Sequence, residues 1–145
     1  FTVLEQHVSS ELNPGRTRAV EFADSVGIGA YRLDLHPSCN GRGTIDLSSL
    51  PFQIPLGCLV PVRVSNLLPA CKNIGVTHVT NGCYRLHPVE WNVGEAAGAL
   101  AWLCLREGVA PQRVCHEPSL VGELQAALGR MGVVTTWGSV ATRAL

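Results

Sequence analysis

Val89-Glu90-Trp91-Asn92-Val93-Gly94-Glu95-Ala96-Ala97-Gly98-Ala99-Leu100-Ala101-Trp102 (VEWNVGEAAGALAW) is the stretch on which the fold turns. Val93, Ala96, Ala97, Leu100, Leu103 and Cys104 recur at helical spacing and form an apolar stripe. Arg106 suits the last turn and Gly108 the C-terminal cap. The start reads two ways: Pro88 in the first helical position, or Asn92 as the cap with Glu95 completing a capping box. Gly94, Gly98 and Ala101 leave one side nearly bare, although a glycine inside a helix costs roughly 1 kcal/mol against alanine. Such a surface asks for a close neighbour, either a strand packed tightly against it or a ligand.

Moving outward, the pattern is mixed α/β. Phe1 to Leu12 has a loose helical face, broken by Asn13-Pro14-Gly15. Gly29 to His36 alternates, with Tyr31, Leu33 and Leu35 on one face and Arg32, Asp34 and His36 on the other, which predicts a half-buried strand. Pro37 to Gly43 is a turn-rich loop. Phe52 to Val64 is β-rich, but Pro55 and Pro61 limit it to an edge strand or two short strands. Asn66 to Cys71 (NLLPAC) predicts a short buried strand, and Lys72 to Arg85 a loop carrying Asn81-Gly82. A last helix is expected over Pro118 to Arg130, with Leu120, Leu124, Ala127 and Leu128 on one face. Trp91 and Trp102 read as packing residues.

The chain has 145 residues, 46% hydrophobic and 15% charged, with eleven acidic and eleven basic side chains. That balance gives no argument for nucleic acid or an anionic membrane as partner. No run reaches the ~18 apolar residues of a membrane span. Six cysteines occur without a C-x-x-C, which removes the usual zinc and thioredoxin spacings. Cys58, Cys71 and Cys104 lie in apolar contexts, so buried free thiols of a cytoplasmic protein are expected rather than disulfides. Lys72 is the only lysine among eleven basic residues. The chain opens on Phe1, and an apolar composition at zero net charge fits a piece of a longer protein with a face turned to another part of it.

Ile54-Pro55, Cys58-Leu59-Val60-Pro61, Asn66-Leu67-Leu68-Pro69-Ala70-Cys71-Lys72, Thr77-His78, Arg85, Pro88 and Gly94-Glu95-Ala96-Ala97-Gly98 follow one another in an order that resembles the C-terminal end of the bacterial FAD-dependent oxidoreductase family. That family is one of the glutathione-reductase-type flavoproteins. Phe22-Ala23-Asp24, Tyr31 and Asp34-Leu35-His36 resemble its preceding strand, so the likeness covers roughly Phe22 to Gly132. It implies substrate-domain strands over residues 1–64, the C-terminal part of an FAD-binding domain over 65–132, and a tail over 133–145. Two departures stand out. Cys71 occupies the place of a glycine that lets backbone approach the cofactor. No G-x-G-x-x-G follows a strand, so the unit that holds the ADP half of FAD is expected in a missing N-terminal part.

The resemblance implies a cofactor and a place for it. The helix would aim its N-terminus at the pyrimidine edge of the isoalloxazine ring, where free amides and the positive dipole end favour negative charge. Val93, Gly94, Glu95, Ala96 and Ala97 would flank the flavin from the helix, and Ala70, Cys71, Lys72 and Asn73 from the strand end. His78 and Arg85 would face a small organic substrate, His78 as proton donor or relay and Arg85 as an anion anchor. Each has a plainer alternative: small residues that only let the helix pack, Lys72 as a solvated charge, His78 bonding local backbone, Arg85 in a surface ion pair. His87, beside the helix start, could be just a cap. Asp34 and His36 read as a solvated strand face. The whole chain then reads as part of an FAD-dependent oxidoreductase, or alternatively as a cofactor-free structural or protein-interaction domain.

Overall fold

The computed structural model describes residues 1–138. A short helix α1 (Glu5–Val8) precedes strand β1 (Ser25–Gly29), then β2 (Leu33–Leu35), β3 (Ile45–Leu47) and β4 (Phe52–Pro55). A 3-10 turn, Leu56–Leu59, closes β4. Four helices follow: α2 (His78–Tyr84), α3 (His87–Glu107), α4 (Pro111–His116) and α5 (Pro118–Arg130). β1 pairs antiparallel with β4, Gly29 opposite Phe52 and Gly27 opposite Ile54. β2 pairs antiparallel with β3 in a separate two-stranded sheet. The architecture is mixed α/β, and side chains from both sides of residue 64 share a single hydrophobic cluster.

α3 is the longest element; of its expected stripe Val93, Ala96, Ala97, Leu100 and Leu103 are buried and Cys104 is half-buried, while Val89 and Ala99 are buried beside them. It lies on β1, and the close approach comes from the strand. A Cβ on Gly29 would collide with the Phe52 ring and stand 2.8 Å from Val89 Cγ2, while one on Gly27 would stand 3.1 Å from Asn92 Cβ. The Ile28 backbone N–H donates to Asn92 Oδ1 at 3.3 Å, so a strand amide is satisfied by the helix. On the helix itself, a Cβ on Gly98 would meet nothing, and one on Gly94 only the Ala70 carbonyl at 3.4 Å. α5 packs against α3 with Leu120, Leu124, Ala127 and Leu128 buried, over the range the sequence predicts.

Several expectations are corrected. The strand expected over Gly29 to His36 is split: β1 ends at Gly29 and β2 begins at Leu33, with Tyr31 exposed between them. Asn66 to Cys71 forms no strand; it is coil, with Leu67 exposed and only Pro69 fully buried, because nothing runs alongside to pair with it. The loop expected over Lys72 to Arg85 contains α2. Thr77 caps that helix reciprocally with Thr80, whose Oγ1 donates in turn to the Val3 carbonyl. Asn81-Gly82 is therefore helical. Gly82 is needed there because a Cβ would sit 3.0 Å from the Asp34 backbone, where α2 rests on β2. α3 begins at His87 with Leu86 as its cap residue, so Asn92 is inside the helix and caps nothing. Trp91 and Trp102 face outward, Trp102 beneath the Arg106 guanidinium at 4.4 Å. Gly108 does cap the C-terminus in the left-handed region, at φ 64°.

Phe52 and Tyr84 tie the parts together. Their rings stack with centroids 4.3 Å apart, and the Tyr84 hydroxyl donates to the Gln53 carbonyl at 2.7 Å. The segment after α5 returns to the same strands: Ser25 Oγ donates to the Thr135 carbonyl, and Trp137 Nε1 to the Phe52 carbonyl. Cys58 and Cys83 are buried, Cys104 and Cys115 half-buried, and Cys39 and Cys71 exposed, which corrects the expectation for Cys71. Burial pushes the Cys58 and Cys83 thiols up to about 12 and Cys115 up to about 11.

The two kinds of glycine give opposite outcomes. Gly29→Ala should destabilise by about 1–3 kcal/mol through overpacking. Gly98→Ala should stabilise by about 0.5–1 kcal/mol, since helical glycine yields to alanine in open space. Urea unfolding of both variants checks this, and a neutral Gly29→Ala would contradict the packing. The thiols also give a pH signature. Below about 9, where free thiols remain protonated in the unfolded chain too, their contribution is intact. As pH rises from about 9 towards 12 the unfolded thiols ionise and the buried ones do not, so stability should fall across that window. Urea midpoints measured from pH 7 to 11 test the sign; a midpoint flat to pH 11 would contradict it.

Candidate functional site

The α2–α3 corner builds a polar cavity against β2. Leu33 and Leu35 are buried, which turns Asp34 and the following His36 outward. α2 ends at Tyr84 and α3 starts at His87, so a two-residue link sets Arg85, Leu86 and His87 above that outward face. The loop before α2 closes the side: Asn81 Nδ2 donates to the Lys72 carbonyl at 3.2 Å, and Lys72 Nζ lies 3.5 Å from Glu90 Oε1. The half-open pocket is about 350 Å³, lined by Tyr31, Asp34, His36, Lys72, Arg85, Leu86 and His87. Ligand pockets begin at roughly 300 Å³, so this one suits a small molecule or one ring system, not a whole dinucleotide.

The charges at this corner balance, Lys72 and Arg85 against Asp34 and Glu90, and the start of α3 adds a free donor. The first intrahelical bond of α3 runs from the Glu90 amide to the Leu86 carbonyl at 2.8 Å, which leaves the His87 and Val89 amides without an intrahelical acceptor. Pro88 contributes no amide, so the tip offers fewer donors than an ordinary helix start. Arg85 Nη2 donates to the Asp34 carbonyl at 3.0 Å, while its buried Nε has no partner among the described residues. Asp34 Oδ2 is 3.5 Å from His36 Nε2. The Lys72–Glu90 contact at that distance is an ion pair and not a hydrogen bond, which is why Glu90 Oε1, buried, also lacks a hydrogen-bond partner. Among the described residues no group of three His, Cys, Asp or Glu side chains could hold a metal ion.

The residues singled out in the sequence divide between this corner and the core. Lys72 and Arg85 share the cavity. Ala70 lies against Gly94, and Lys72 against Glu90 one turn earlier, so the segment starting at Ala70 runs beside the first turns of α3. Cys71 is exposed beside them, and exposed Asn73 lines a different hollow with Cys58 and Pro69. Val93, Ala96 and Ala97 are buried among protein side chains, and Glu95 bonds Asn92 Nδ2 at 3.1 Å. His78 is exposed at the start of α2, seven positions from Arg85 and about 10 Å away at helical rise, outside the cavity. Sequence reasoning missed Glu90 and Leu86. Taking Pro88 as the helix-start marker and rejecting Asn92 would have placed Glu90 in the first turn.

No helix among the described residues is long and apolar enough to cross a membrane. No curated protein and no solved structure matches the chain. A family model, FAD dependent oxidoreductase, matches residues 1–128. That match takes in β1 to α4 and nearly all of α5, including every residue that lines the cavity at the α3 tip. The chain belongs to the FAD-dependent oxidoreductase family.

Proposed function

We propose that this chain forms the isoalloxazine and ribityl side of the flavin site of an FAD-dependent oxidoreductase of glutathione-reductase type. One observation carries the reading: the α3 tip, where the His87 amide lacks an intrahelical acceptor, opens into a cavity shared with Lys72 and Arg85, in a chain whose family takes FAD. The donor set fits the group, since the His87 amide and cations face a ring edge that gains charge on reduction. When bound, the flavin supplies the redox chemistry, taking a hydride or electrons from an organic substrate.

The chain's own residues bind and orient. His87 presents its amide and the positive end of α3 to the pyrimidine edge. Ala70, Cys71, Lys72 and Asn73 border the ribityl side, with Gly94 leaving room for Ala70 to lie flat on the helix. Val93, Ala96 and Ala97 hold α3 in position by packing on protein, and Glu95 steadies Asn92. Arg85 faces the substrate; His78, outside the cavity, has no such place. With no G-x-G-x-x-G in the sequence, the phosphates and adenine fall to polypeptide outside residues 1–145. The buried Val93, Ala96 and Ala97 face is what a cofactor-free interaction domain would also have, but that alternative leaves the open tip without a role.

Two measurements test this. The chain alone should bind FAD weakly or not at all; tight stoichiometric flavin on it would overturn the division of labour. In the longer flavoprotein, Gly94→Leu should push the Ala70–Lys72 segment off α3 and lower the flavin-to-protein absorbance ratio several-fold, while Gly94→Ala, with only one contact at 3.4 Å, should leave it unchanged. Full flavin content in a folded Gly94→Leu protein would contradict contact there.

A further inference from the structure

We draw no further inference here: the strongest candidate, the half-open apolar groove between α3 and α5 lined by Gly98, Trp102, Ala127, Arg130 and Met131, carries none, because nothing in the structure shows what covers it.

Discussion

The structure depends on the contact between β1 and α3 at Gly27 and Gly29. Any side chain at these positions would strike Phe52, Val89, Ile54 or Asn92, so the helix can sit this close only on bare strand backbone. That approach places Val89, Val93, Ala96 and Leu100 in the core and lets Asn92 satisfy the Ile28 amide. It also fixes where α3 begins. Leu86 and His87 are carried to a position above β2, and the corner with Arg85 follows from it.

A second bare contact sets the other wall. α2 rests on the Asp34 backbone through Gly82, and its end delivers Arg85 to the Asp34 carbonyl. The cavity is thus bounded by two helices, each seated on a strand at glycine. The polar character comes from what is left over: the His87 amide with no intrahelical acceptor, an arginine held by one nitrogen, and a lysine held at ion-pair distance. Buried polar atoms without a hydrogen-bond partner are unusual in folded proteins, and two lie near this corner: Arg85 Nε, and Glu90 Oε1, which has only the Lys72 ion pair.

Much of this was legible in the residues, and the failures have physical reasons. The α3 stripe, its Gly108 stop and the whole of α5 were readable because apolar spacing and capping chemistry agree there. The bare face of α3 meets almost nothing, and the decisive glycines were those of the strand Ser25-Val26-Gly27-Ile28-Gly29, whose alternation is only two apolar residues long and too short to mark a strand. α2 was hidden because Asn-Gly is ordinarily a turn; here packing on β2 overrides that local preference. Asn66 to Cys71 misled in the opposite direction: apolar content cannot make a strand without a pairing edge. At the site, Lys72 and Arg85 were found by residue type and order, whereas Glu90 was missed because Asn92 offered a cap that tertiary structure uses otherwise.

In the proposed function the exposed tip of α3 lends its His87 amide to a flavin. A crystal structure of the flavin-loaded protein tests it most directly. The pyrimidine edge of the ring should lie within hydrogen-bonding distance of the His87 amide, with Lys72 alongside. A ring bound elsewhere, with that tip sealed by other polypeptide, would contradict it.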